Sequence, residues 1–342
     1  FELHILNNEL GGKISIPLLE EDTIAIDLNF ININNIDNDY GSRSAFLNLY
    51  NELSFEMIFR TESLVYNSRD YGSWSFTLTR DDKSLILDNL MGVYGKWGLT
   101  YNANEVSRLI ISREGLGWKT SLDSRAYSGS PEKAFKQVGI EPNFEMDTFS
   151  MDVSVNWSSL PWEVDYGNII GDVALNIKGL VIKNREELQA QNNLLRIVNI
   201  FNITDSFEKI TNLDFRKLYK TGFTADSVNG LINISRNDLN IKSPLVFKSG
   251  SSEFSWKGNI LRDEKVLLKE LNLEVVMTLP LRDYLPAYAF LLGGPITAGI
   301  VYIAGKAFER NLDQLSSGSW SITGTLEEPV TNFNGWFEST RE

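Results

Sequence analysis

Large apolar side chains alternate with polar ones along most of this chain. Clear runs of this period-two pattern cover residues 24–30, 74–78, 97–101, 153–157, 173–177, 254–256 and 271–277. Successive side chains of a β-strand point to opposite faces, so each run predicts a strand with one apolar face. Polar turn sequences at 80–83, 249–252 and 262–265 separate neighbouring runs. The pattern indicates an antiparallel meander in which one face is buried.

Helical periodicity interrupts the strands in four places. Residues 43–53 have apolar side chains at helical spacing, and Ser130 followed by Pro131 predicts the start of a short helix that ends near Val138. Residues 184–202 and residues 205–219 also have apolar side chains at helical spacing. These last two segments predict a helical hairpin, at about 184–219, between two regions of strand.

Residues 285–304 are uncharged and about as long as a helix that spans a bilayer. Three interpretations stay open: a transmembrane helix, a pair of buried core helices, or an amphipathic lid on a groove or membrane surface. Gly293-Gly294-Pro295 disfavours the continuous span, because proline removes a helical hydrogen bond and clashes with the preceding turn. The candidate lid or lipid-binding residues are Leu285, Tyr288, Leu291, Leu292, Gly293, Gly294, Pro295, Ile296, Ile300, Ile303 and Phe308. The pattern predicts short apolar helices within about 283–314.

Composition removes several classes of function. The formal net charge is −13, and lysine and arginine are scattered singly, so no basic face for nucleic acid is visible. The 342 residues include no cysteine and one histidine, His4, which excludes thiolate metal sites and histidine-dependent triads. Adjacent carboxylates such as Asp81 and Asp82 face opposite sides of a strand and make poor acid–base pairs. We expect a protein that is not an enzyme and has no cofactor, metal or nucleic-acid partner.

From Trp157 onward, the residues resemble the C-terminal region of the YhdP branch of the AsmA-like family. The matching elements are Trp157-Ser158-Ser159-Leu160-Pro161, Ile170-Gly171 to Gly179, Leu194-Leu195 with Val198-Asn199, Leu213-Asp214-Phe215 to Leu218 with Gly222-Phe223, Gly293-Gly294-Pro295, Leu312 to Leu315, Trp320 to Gly324, and Pro329. Their order and spacing carry the resemblance, which covers about half of the chain. Asn212 departs from the family pattern, where a basic residue is expected. Residues before Trp157 share with the family only a meander of alternating strands.

The resemblance implies a fold. We expect a mainly β protein with α insertions, whose long antiparallel twisted sheet curls into an open groove with an apolar inner face. Residues 1–150 would form one groove segment with short helices, and 151–342 would form the C-terminal groove with the hairpin and the apolar helices. Groove-lining candidates are Val173, Leu175, Ile177, Leu271, Leu273, Val275 and Met277.

The resemblance also implies a function, namely a non-enzymatic conduit for phospholipids between the inner and outer membranes of bacteria. The chain begins at Phe1, and we interpret it as the periplasmic, C-terminal part of a longer protein that is anchored in the inner membrane. Its expected partners are phospholipids, the inner leaflet of the outer membrane, and possible proteins of the envelope. An alternative is a scaffold β-domain that docks an outer-membrane protein through residues 285–304.

Overall fold

The structure is a computed structural model, and it describes residues 1–17, 23–33, 46–48, 50–182, 223–250, 252–263, 268–278, 317–326 and 328–336. These residues form twenty strands of one mixed β-sheet, with few helices. In chain order the strands are β1 (Glu2–Leu6), β2 (Leu10–Ser15), β3 (Ile24–Ile33), β4 (Met57–Thr61), β5 (Leu64–Tyr66), β6 (Arg69–Asp70), β7 (Ser73–Arg80), β8 (Ser84–Tyr94), β9 (Trp97–Thr100), β10 (Arg108–Glu114), β11 (Gly117–Ser128), β12 (Phe144–Glu145), β13 (Thr148–Trp157), β14 (Ile170–Ile182), β15 (Phe223–Ile234), β16 (Asp238–Ser249), β17 (Ser252–Arg262), β18 (Leu268–Thr278), β19 (Ser317–Thr325) and β20 (Pro329–Trp336). The prediction of a mainly β fold is confirmed.

The chain divides into two compact units. The first comprises Phe1–Glu141, Thr148–Leu175 and Ile234–Arg236, and the second comprises Pro142–Asp147, Asn176–Asn233 and Asn237–Glu342. Each unit is described separately below.

In the first unit, most neighbouring strands are antiparallel, as predicted. The ladder runs from β4 through β7, β8, β10 and β11 to β13, while β9 pairs with the ends of β8 and β11. The sheet is nevertheless mixed, because β3 runs parallel to both β4 and β5. A parallel pair needs a long crossover, and residues 34–56 supply one that includes a helix. The sheet therefore departs from the predicted antiparallel order at β3.

Two predicted helices in the first unit are confirmed. Residues 46–48 and 50–52 are helical. Helix α1 (Pro131–Gln137) has Ser130 at its N-cap position and proline in its first turn, although the Ser130 side chain makes no capping hydrogen bond. Pro131, Ala134 and Phe135 are buried, and the Ala134 carbonyl accepts a 2.8 Å hydrogen bond from Trp97 Nε1. This bond and the edge-to-face contact of Phe135 with Trp97 fix α1 against β9.

The predicted turn at 80–83 joins β7 to β8. One carboxylate oxygen of Asp81 accepts hydrogen bonds from the backbone N–H groups of Lys83, at 2.8 Å, and Ser84, at 2.6 Å. The Lys83 hydrogen bond is the main cause that lowers the pKa of Asp81 below its ordinary value. The acidic pair at 81–82 thus belongs to a turn, where Asp81 organises the backbone.

In the second unit, β16, β17, β18, β19 and β20 follow one another as an antiparallel meander. Asn176 on β14 donates a 2.8 Å hydrogen bond to Asn229 on β15, so these two strands also lie side by side. The helical hairpin predicted at 184–219 and the apolar helices predicted at 283–314 fall outside the described residues.

Candidate functional site

An apolar row crosses seven strands of the first unit. Successive strand registers place one apolar residue opposite the next from β3 to β13. We call the set Ile24, Met57, Leu78, Leu87, Leu109, Leu122 and Val155 the apolar row. Leu78 is buried, whereas the other six are half-buried. A sheet face this apolar that stays partly accessible can accept a further apolar group.

The dimensions of the apolar row suit a lipid tail. Six steps between neighbouring strands, at about 4.8 Å each, make the row roughly 29 Å long. The hydrocarbon core of a bilayer, which holds two layers of acyl chains, is about 30 Å thick. The row is therefore long enough for an extended acyl chain, and it runs across the strands rather than along them.

A cavity of about 540 Å³ lies next to the start of the row. Its lining is mainly apolar and comprises Ile5, Glu9, Leu10, Ile14, Ile26, Leu28, Ile31, Asn32, Ile33 and Phe59. Ile14, Ile26 and Phe59 lie opposite one another on β2, β3 and β4, two residues along from the apolar row. Phe59 of this lining stacks on Phe76 of β7, with ring centroids 4.8 Å apart.

The opposite face of the same strands is charged. Arg108 on β10 pairs with Asp88 on β8, and Ser154 donates a 2.6 Å hydrogen bond to Asp123. Arg125 donates to both oxygens of Asp152, at 2.6 and 2.9 Å, and this hydrogen bonding raises the pKa of the Arg125 guanidinium. A larger cavity of about 970 Å³ is lined by charged residues of this face, such as Asp27 and Arg60, and by apolar ones, such as Met91 and Val93. Ion pairs and side-chain hydrogen bonds thus distinguish the strands behind the apolar row from the row itself.

An aromatic cluster covers the middle of the apolar row. Phe46 and Tyr50, from the helical residues 46–48 and 50–52, and Leu53, which follows them, are buried against Leu78 in one cluster that also holds Leu85, Ile111 and Leu160. Met57, Leu87 and Leu109 of the row pack against this cluster. Leu122 and Val155 continue the row beyond it on β11 and β13. The row is thus occupied at its centre by the protein's own side chains.

The second unit has a more deeply buried apolar face. Leu245, Trp256, Val275 and Trp320 lie opposite one another on four successive strands and are 0–2% exposed. The flanking positions Phe247, Phe254, Met277, Ile260, Leu271, Leu273 and Ile322 are also buried. The reverse face carries polar side chains, such as the Asn272 amide that donates to Asn259 at 3.2 Å. The face that carries Trp256 and Trp320, and not its polar reverse, forms the hydrophobic core of the second unit.

The sequence-predicted site residues fall into three groups. Leu271, Leu273, Val275 and Met277 share the buried face of the second unit, while Val173 and Leu175 are half-buried on β14 and Ile177 is buried. The lid candidates between Leu285 and Phe308 lie outside the described residues. Their roles therefore stay predictions. Sequence reasoning missed the apolar row, because alternation within each strand does not show which residues of distant strands become neighbours.

No three or more His, Asp or Glu side chains of the described part of the chain are grouped so that they could hold a metal ion. Within the same residues, no helix has the length and apolar character needed to cross a membrane.

The comparisons with known proteins agree on one family. No solved structure matches the chain. The Intermembrane phospholipid transporter YhdP of Escherichia coli (strain K12) is 22% identical over 215 residues, which are 63% of this chain and 16% of that protein. This chain thus matches a small part of that relative. The profile of the YhdP protein family matches residues 2–331, nearly the whole sequence. The chain therefore belongs to the YhdP protein family.

Proposed function

We propose that this chain is a segment of an intermembrane phospholipid transporter and holds lipid acyl chains on the apolar row of the first unit. The observation that carries the proposal is the row itself, which crosses seven strands, is half-buried at six positions and has a charged reverse face. The name of the Escherichia coli relative, an intermembrane phospholipid transporter, suggests the chemical class of the ligand.

The apolar row would bind an acyl chain and allow it to move between neighbouring strands. Burial of each methylene of an acyl chain stabilises the complex by about 0.8 kcal/mol, so a few covered carbons already give useful affinity. Side chains repeat along the row at about 4.8 Å, the distance between strands. On either side of the aromatic cluster that covers the centre of the row, an acyl chain displaced by one strand meets a similar aliphatic surface, so this displacement changes the binding energy little. Such movement needs no nucleophile.

The charge of the protein indicates which part of the lipid is bound. With a formal net charge of −13, electrostatic attraction to anionic headgroups is unfavourable for the chain as a whole. Recognition would come from the acyl chains, while the headgroups stay in water. We place this segment in the periplasm, where such a row would shield acyl chains between the two membranes. Docking of an outer-membrane protein through residues 285–304 stays a prediction.

Native mass spectrometry of the purified chain tests the proposal. The chain is incubated with vesicles of phosphatidylethanolamine containing a minor share of phosphatidylglycerol, separated from them, and sprayed under gentle conditions. We expect adducts with the masses of intact phospholipids, because acyl chains remain on the apolar face after separation. Soluble headgroup analogues, such as glycerophosphoethanolamine, serve as the control and should give no adduct. Absence of phospholipid adducts, or equal binding of the headgroup analogue, would contradict acyl-chain binding.

A further inference from the structure

The segment with helical residues 46–48 and 50–52 places two aromatic rings where the proposed acyl chain would lie. Phe46 is 9% exposed and Tyr50 is 6% exposed, and both belong to the cluster against which Leu87 and Leu109 of the apolar row pack. Phe46 and Tyr50 each meet Trp118 edge to face, with ring centroids 5.3 and 4.9 Å apart. These side chains make the same kind of contact with the row that a lipid tail would make.

The attachment of this segment is mainly apolar. Tyr50 Oη donates a 2.6 Å hydrogen bond to the carbonyl of Lys83, and the Arg80 guanidinium lies 5.9 Å from the Tyr50 ring centroid. Phe46 also meets Trp162, which is 53% exposed. Helices in proteins gain most of their stability from the packing of their apolar side chains. An apolar competitor for the row would therefore act on the contacts that hold this segment.

We propose that Phe46 and Tyr50 form a barrier within the apolar row, and that an acyl chain crosses the row only when these two side chains withdraw. The inference rests on the proposed function and adds a step that controls passage of the acyl chain along the row. On one side of the barrier, the cavity lined by Ile26 and Phe59 receives the acyl chain. On the other side, Leu122 and Val155 receive it after the barrier has opened. An acyl chain that takes the place of the rings restores apolar contacts to the row.

Photo-crosslinking on both sides of the barrier tests this inference. A photoreactive amino acid replaces either Ile26, which lines the open cavity, or Leu109, which lies against the cluster. Each protein is illuminated with the phospholipid vesicles and analysed for lipid adducts. In the otherwise unchanged chain, we expect adducts at position 26 and few at position 109. With F46A/Y50A, adducts at position 109 should rise about tenfold. The open state of the unchanged chain has a population of roughly 10% or less, and this population no longer limits access once the two rings are removed.

Two further variants separate the barrier from general loosening of the unit. Val153→Ala removes methyl groups from a buried position of the first unit that lies outside the aromatic cluster, and it should leave adducts at position 109 unchanged. Tyr50→Phe keeps the ring and removes only the hydroxyl that bonds to Lys83, and it should give a smaller rise than F46A/Y50A. Circular dichroism verifies that each variant is folded, and if the double variant is not, the Tyr50→Phe comparison decides.

The outcomes distinguish the barrier from the function on which it rests. Equal adducts at positions 26 and 109 of the otherwise unchanged chain would overturn the barrier and leave acyl-chain binding intact. The barrier would also be wrong if Val153→Ala raised adducts at position 109 as much as F46A/Y50A. Absence of adducts at both positions in every variant would instead contradict the proposed function.

Discussion

Replacement of Trp256 by alanine should lower the free energy of unfolding of the second unit by about 3–5 kcal/mol. Trp256 is 0% exposed and lies between Leu245 and Val275 in the middle of the buried face. The variant loses the transfer free energy of the indole and leaves a cavity whose lining loses its contacts. Chemical denaturation, followed by tryptophan fluorescence and far-ultraviolet circular dichroism, measures the change.

The matched control is Lys257→Ala, one residue further along β17 and on the opposite face. Lys257 is exposed, so its replacement should change the unfolding free energy by no more than about 0.5 kcal/mol. If Trp256→Ala cost under about 1 kcal/mol, the face that contains Trp256 would not be the core of this unit.

Replacement of Leu122 by lysine should reduce phospholipid binding to the first unit by roughly tenfold or more, because a charge in an acyl environment costs about 2.5–3.5 kcal/mol and the half-buried site relieves part of it. Leu122 lies between Leu109 and Val155 in the apolar row. The ammonium group of the lysine introduced at position 122 would lie where lipid carbons are expected. Native mass spectrometry at fixed lipid concentration gives the fraction of chain with bound phospholipid.

Ser121→Lys provides the control, since Ser121 is the preceding residue of β11 and points to the other face. It adds the same charge to the same strand without entering the row, so lipid binding should stay near that of the unchanged chain. Equal losses in both variants would indicate that the added charge acts at a distance and that the row is not the lipid surface.

The alternation of apolar and polar residues was sufficient to predict seven of the twenty strands that the described residues form. Residues 271–277, for example, fall inside β18, and the apolar members of that run are buried while most of their neighbours are not. The sequence Ser130-Pro131 was sufficient to predict the start of α1, where proline occupies the first turn. The parallel pairing of β3 with β4 could not be predicted, because the pattern within a strand is the same for either direction of its neighbour.

The candidate site was harder to predict for the same physical reason. The Leu109 and Leu122 side chains are neighbours only because the β10–β11 register sets them opposite one another, and a shift of one residue would place Ser121 there instead. The cluster around Phe46 depends on tertiary contacts between a short helix and four distant strands. The groove-lining candidates on β18 were recognised as apolar from their alternation and are buried, while their lining of a groove stays a prediction.

The most direct test of the central claim compares the two faces of one strand. A photoreactive amino acid is placed at Leu122 in one protein and at Ser121 in another, and both are illuminated with the same phospholipid vesicles. Val155 and Asn156, which lie opposite these two residues on β13, provide a second pair with the same geometry. Lipid adducts at 122 and 155, with few at 121 and 156, are the predicted result. Equal adducts on both faces, or none at 122 and 155, would contradict the proposal that the apolar row holds lipid.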